Sequence, residues 1–152
     1  MLFLICKAGR GYWHLQTRIL LWLAKLLLLQ GQAAEAQVQL ETALKTARAQ
    51  DRALWLIQTE RLRARLIASR GDWPAAAALF AETVQHALEL ELPLEVARTQ
   101  AAWGEAGLVY SPDRDRAREL LDTACAALSA HDARGELQAI AARPAPSVMR
   151  SG

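Results

Sequence analysis

Leu27-Leu28-Leu29-Gln30-Gly31-Gln32-Ala33-Ala34-Glu35-Ala36 decides how this chain folds, because its pattern returns twice. It recurs as Ile67-Ala68-Ser69-Arg70-Gly71-Asp72-Trp73-Pro74-Ala75-Ala76 and as Leu108-Val109-Tyr110-Ser111-Pro112-Asp113-Arg114-Asp115-Arg116-Ala117. Ala36 and Ala76 are 40 residues apart, and Ala76 and Ala117 are 41 apart. Each time a helical pattern stops at Gly or at Ser-Pro and a second helix begins at once. Repetition at such a period marks stacked units, none of which can bury its apolar face alone.

Each unit reads as helix, tight turn, helix. Gly31 and Gly71 can take the left-handed conformation that ends a helix. Asp72 suits the cap of the next helix and Pro74 its first turn, and Ser111 followed by Pro112 is expected to do the same job. Gln50-Asp51 and Leu92-Pro93 supply the breaks between units. The expected helices span 13–30, 33–49, 52–70, 74–91, 94–110, 113–130 and a short 133–143. The fold class is therefore all-α, a solenoid of about three antiparallel hairpins closed by a short capping helix. Residues 1–12 read as an apolar lead-in, 13–143 as the repeat domain and 144–152 (PAPSVMRSG from Pro144) as a disordered tail.

Composition agrees. Of 152 residues, 53% are hydrophobic and 22% charged, a globular balance. The apolar share is mostly Ala and Leu, which lose little rotamer freedom in a helix. Net charge is +2, which gives no reason to expect nucleic acid as a ligand. The charge is uneven, however: residues 1–70 hold 11 Lys/Arg against 4 Asp/Glu, and residues 71–152 hold 7 against 12. Such polarity suits an acidic partner or a second copy met head to tail, and equally an uneven but inert surface.

These residues resemble the tetratricopeptide family, whose pattern sets a small residue in the first helix, Gly at the turn, then small, bulky and small residues along the second. The first unit supplies Ala24, Gly31, Ala36, Leu40 and Ala43. The second supplies Ala64, Gly71, Ala76 and Phe80, with Thr83 where a small apolar residue is usual. The third supplies Ala117, Leu121 and Ala124, and Gly104 fits the small site only if the turn is one residue longer. Small residues let two helices approach and the bulky one fills the space between them. Units of about 40 residues, against the family's usual 34, look like the repeats of MalT-like regulators of the LuxR class and related bacterial signalling ATPases. The closest stretch is Ala97-Arg98-Thr99 leading to Trp103-Gly104-Glu105 and Ala117-Arg118-Glu119-Leu120-Leu121. The resemblance, covering roughly 17 to 140, implies a cytoplasmic protein-interaction module with a regulatory or sensor role, no catalysis and no cofactor.

In that family the first helices of successive units line a concave groove. Transferred here, this places Arg18, Leu21, Lys25, Leu28 and Leu29 in the groove from unit one, and Gln58, Arg61, Arg65, Ala68 and Ser69 from unit two. Arg98 or Thr99 opens the same stripe in unit three. Arg61 and Arg65 lie one turn apart on one face, as do Leu21 and Lys25. A groove carrying Arg18, Lys25, Arg61, Arg65 and Arg98 would suit an acidic or phosphorylated protein segment. The same charges also read as ordinary solvated helix charges. The family's clamp for chaperone tails is not expected, because Leu21, Lys25 and Leu62 occupy its first positions.

Helix 13–30 is apolar nearly all round and needs cover on more than one side. A neighbouring segment such as Met1–Cys6, a preceding repeat, or a second copy in a homodimer would each serve. Trp22 and Trp103 each lie 14 residues before their repeat's Ala, at 36 and 117, so both are expected in packing between hairpins. A small-molecule sensor with a pocket inside the superhelix is a further alternative.

Other features exclude chemistry more than they suggest it. Lys7-Ala8-Gly9-Arg10-Gly11 lacks the Gly-Lys-Ser/Thr of a phosphate loop. His14, His86 and His131 are scattered without partners at metal-ligand spacing, and His86 reads as a half-exposed packing residue. Glu89, Glu91 and Glu95 read as a solvated acidic helix end rather than an acid/base pair. Cys6 and Cys125 form neither a disulfide framework nor a zinc motif, which fits a reducing compartment. Ile19–Leu29 has the look of a signal-peptide core, but Lys25 interrupts it, and it falls short of the roughly 18 apolar residues of a membrane span.

Overall fold

The computed structural model describes residues 12–142. Among them are seven helices and no strand: α1 (Tyr12–Leu29), α2 (Ala33–Ala49), α3 (Ala53–Ser69), α4 (Trp73–Glu89), α5 (Pro93–Tyr110), α6 (Arg114–Ala130) and α7 (Arg134–Ala141). Expected and observed boundaries agree to within two residues. The expected lead-in through Gly11 and the tail from Pro144 lie outside the described residues, as do Cys6 and the Lys7–Gly11 motif.

Helices pair in sequence. α1 packs on α2, α3 on α4 and α5 on α6, while α3 also packs on α1 and α5, so the three first helices lie side by side. α7 closes the end against α6. A seam of alanines runs through the core of the first six helices: Ala24, Ala36, Ala43, Ala64, Ala76, Ala97 and Ala124 are fully buried. Two apolar clusters fill the junctions between units. Leu21, Leu40 and Leu66 anchor the first, and Phe80 the second, where its ring stacks on Trp103 with centroids 6.1 Å apart and planes 11° from parallel. That separation is within the favourable range for aromatic pairs.

Every link between helices is three residues long. In most of them the middle residue takes a positive φ: Gly31 at 75°, Gly71 at 91°, and Asp51, Glu91 and Asp132 at 49°, 54° and 54°. At the first link Gln32 N–H donates to Leu27 O at 2.9 Å and Gly31 N–H to Leu28 O at 3.1 Å, which satisfies the last carbonyls of α1. The repeat is thus one turn geometry used with and without glycine. The third-unit link differs. Ser111 is extended (φ −83°, ψ 143°), the conformation a following proline imposes, so Pro112 stops α5 without a left-handed residue. The cap of α6 is Asp113, which accepts from Arg116 N–H at 3.0 Å, and not Ser111 as expected; Ser111 Oγ instead accepts from Asp113 N–H. Asp72 caps α4 as expected, accepting from Ala75 N–H at 3.2 Å.

Thr83 stands where the repeat favours a small apolar residue, yet it is fully buried. Its hydroxyl donates to Leu79 O at 2.7 Å within its own helix, so burial strands no polar group. Thr59 and Thr99 do the same toward Trp55 O and Glu95 O.

The extra residue of the third unit lies within a helix. α3 and α5 begin at 53 and 93 but end at 69 and 110, while the links that follow them are equally long. Gly104 therefore stays 40 residues from Ala64 and 80 from Ala24 and is buried like them; the turn is not lengthened. A Cβ at Gly104 would sit 2.8 Å from Leu121 Cγ and 2.9 Å from Ala117 O, so only glycine permits this approach of α5 and α6. Leu121, the expected bulky residue, fills the space above Gly104 while half-buried, and Leu120 beside it is buried.

The same shift breaks the expected equivalence of the two tryptophans. Trp103 is one residue, about 100° of helix, out of step with Trp22. Trp103 packs under Phe80, whereas Trp22 is 68% exposed. Trp22 is not a core residue.

Candidate binding groove

Because the first helices run side by side at a 40-residue interval, equivalent side chains form rows across their open face. Lys25, Arg65 and Glu105 make one row, Leu29, Ser69 and Val109 another, and Trp22 with Leu62 a third. Together they line a groove of about 760 Å³ whose far edge is closed by Leu121 of α6 and Ile140 of α7. Its floor and walls are mostly apolar, including Leu21, Leu28, Leu108 and Tyr110. Four charged side chains line it: Lys25, Arg61 and Arg65 against Glu105.

Of the residues expected in the groove, Leu21, Lys25, Leu28, Leu29, Gln58, Arg61, Arg65 and Ser69 line it. Ala68 does not: it is fully buried in the junction between the second and third units. Arg18 is exposed on α1 but outside the groove lining. Arg98 is also outside, and Thr99 is fully buried.

The arginines are tied into ion pairs. Arg61 Nη1 lies 2.9 Å from Glu95 Oε2 and 3.3 Å from Thr99 Oγ1. The other Glu95 oxygen takes Arg98 Nη1 at 2.6 Å, and Arg98 reaches on to Glu136 of α7, with Nη2–Oε1 at 2.6 Å. Arg61, Glu95, Arg98 and Glu136 thus form a chain of alternating charge from α3 through α5 to α7. Arg65 Nη2 separately meets Glu105 Oε2 at 3.1 Å. Glu95 is the reverse of a solvated helix end: its side chain is only 5% exposed, wedged between two guanidinium groups. Glu89 and Glu91 are exposed, as expected.

Burial pushes the Arg61 pKa down, with Glu95 opposing, and burial likewise lowers that of Arg65. For Arg98, burial lowers the pKa, but hydrogen bonds to Glu136 and Glu95 outweigh it and the net direction is upward. The hydrogen bond from Arg98 holds the Glu136 carboxyl below the usual carboxylate range. Arginine stays protonated throughout at ordinary pH.

Sequence reasoning missed the acidic half of this arrangement. Glu95 sits 34 residues from Arg61, Glu105 40 from Arg65 and Glu136 38 from Arg98, separations that mean nothing until the stacking register is known; the Glu95–Arg98 pair alone is local, at three residues. Glu105 could have been found: it lies 40 residues after Arg65, in the same row.

The described residues contain no group of three or more His, Cys, Asp or Glu placed to hold a metal ion. Cys125 is half-buried, and burial with the nearby Asp122 raises its pKa, which disfavours the reactive thiolate. No described helix is long and apolar enough to cross a membrane. No protein-family model, curated protein or solved structure matches the chain. The helical-repeat architecture therefore rests on the residues and their packing.

Proposed function

We propose that the chain is a protein-interaction module that holds a peptide or helix of a partner protein along the open face of α1, α3 and α5. The observation that carries this reading is the groove itself, about 760 Å³ of mostly apolar surface crossed by a row of charged side chains. Apolar rows at helical spacing supply affinity to an amphipathic segment, and the polar row sets its register. Arg61 and Arg65 are already held by Glu95 and Glu105, so an acidic edge on the partner would be met by exchange within this polar row rather than by surplus charge. Through its resemblance to tetratricopeptide repeats of MalT-like regulators, the natural setting is a bacterial signalling or transcription-regulatory protein in the cytoplasm. Fold alone does not determine this setting.

Co-purification from the native host identifies the partner. Lys25→Ala is then expected to weaken binding and flatten its salt dependence, and Val109→Asn to weaken binding without altering that dependence. Arg61 and Arg65 are unsuitable for this test, because each is held by a carboxylate, Glu95 and Glu105, that its loss would strand. Unchanged affinity in both variants would remove the reading. A groove of this volume also matches those that enclose small molecules. A ligand that raises the melting temperature while leaving partner capture unaffected would favour the sensor reading instead.

A further inference from the structure

The outer face of α1 carries a second surface, which borders the groove and shares Trp22 and Leu29 with its lining. Leu15, Ile19, Trp22, Leu26 and Leu29 are each more than half exposed, and their spacing is 4, 3, 4, 3. This is the heptad seam of a coiled coil: Ile19 and Leu26 take the a positions, and Leu15, Trp22 and Leu29 the d positions. Thr17 and Ala24, at the f positions on the opposite side, are fully buried against the rest of the fold, so the seam points squarely outward.

We propose that this seam pairs with the same seam of a second copy of the chain, forming a parallel two-helix homodimer. Three observations favour that occupant. Ile19 at a with Leu15 and Leu29 at d matches the combination that favours parallel two-stranded pairing, while Leu26 at a and Trp22 at d add nothing to that preference. The flanks decide the direction: Arg18 and Lys25 hold both g positions, and Gln16, Leu23 and Gln30 hold the e positions. Antiparallel pairing would bring g against g and set Arg18 against Lys25 of the other copy, whereas parallel pairing sets g against e, with no like charges opposed. The area also suffices. From their exposures, the five seam residues and Leu23 leave on the order of 600 Å² of apolar surface per copy, at the top of the range for monomers and near the ~800 Å² per partner of a stable interface. α1 is already held helical by its packing on α2 and α3, so pairing need not meet the cost of forming the helix.

Sedimentation of the full chain across the micromolar range tests the proposal. A dimer is expected, and Leu26→Glu or Ile19→Glu, neither of which lines the groove, is expected to weaken it roughly 100-fold or more with unchanged helicity. Direction is read by crosslinking. With Cys6 and Cys125 replaced by Ser, Leu29→Cys alone should oxidise to a covalent dimer, since only parallel pairing brings residue 29 beside its own copy. A wild-type chain that is monomeric throughout overturns the proposal, as does a dimer untouched by Leu26→Glu. Should the Glu variants fail to fold, absence of the Leu29→Cys crosslink still overturns it.

Discussion

At Glu95 a single carboxylate is shared by two guanidinium groups in a place water scarcely reaches, and the cost of disturbing it is set by what remains behind. Arg61→Ala leaves the carboxylate buried with only the more exposed Arg98 beside it. Breaking such a pair from one side costs about 3–5 kcal/mol, whereas replacing both members by apolar residues is often neutral. Urea denaturation should therefore show a large loss for Arg61→Ala and substantial recovery in Arg61→Met combined with Glu95→Leu. Backbone conformation makes an opposite prediction at Glu91. With φ at 54°, this non-glycine residue occupies the left-handed region in which Gly31 and Gly71 sit at equivalent turns. Glu91→Gly is expected to raise stability by up to about 1 kcal/mol, since the strain relieved exceeds the extra freedom given to the unfolded chain. Glycine marked two of these turns in the sequence. Gln50-Asp51 and Leu92-Pro93 marked two more as breaks, but Glu91 gave no sign of the positive φ it takes there.

At the scale of the helix, the decisive detail is the register of α5. The alanine ladder made helix, turn and pairing legible, because Ala36, Ala76 and Ala117 must each face a neighbour closely. The ladder registers an added residue, as 41 in place of 40, but not its place; inside α5 it rotates all that precedes it by about 100° relative to α6. Hence Trp103 was matched with Trp22, and Gly104 was assigned a longer turn. Gly104→Ala tests the corrected register. Its methyl group would meet a backbone carbonyl that cannot yield, so a loss of about 1–3 kcal/mol is expected. α7 poses a different question, since none of its residues is buried and its Glu136 is tied to Arg98. The folded pKa of Glu136 lies below its unfolded value, so the tether contributes above the ordinary carboxylate range and is lost as pH falls through the lower, folded value. Protection against hydrogen exchange in α7, taken relative to the intrinsic rate at each pH, should fall as pH drops below the ordinary carboxylate range. Glu136→Gln should already exchange fast at neutral pH, and salt should partly mimic it because both partners are about one-third exposed.

For the whole molecule, the question is whether three hairpins behave as one body. In a solenoid each unit touches only its neighbours, and stability is a sum of unit and junction terms. Here the two junction clusters share a helix. α3 contributes Leu62 and Leu66 to the first and Ala64 and Ala68 to the second, from opposite sides. Neither junction can open without loosening α3, and the ion-pair chain through Arg61 adds a polar tie from α3 to α5 and α7. Phe80 fills the centre of the second cluster and Leu40, its equivalent 40 residues earlier, the first; both are fully buried. Phe80→Ala is expected to cost about 3–5 kcal/mol and Leu40→Ala about 2–5 kcal/mol, each leaving a cavity that rigid helices cannot close. Each variant should still melt in one transition seen alike by circular dichroism and by the fluorescence of Trp103 beside the Phe80 cavity, read with the other four tryptophans replaced by Phe. Were fluorescence to change in Phe80→Ala well before helicity is lost, the third unit would be separating from the second on its own. The groove would then be a surface assembled from loosely joined parts rather than one held rigid by α3.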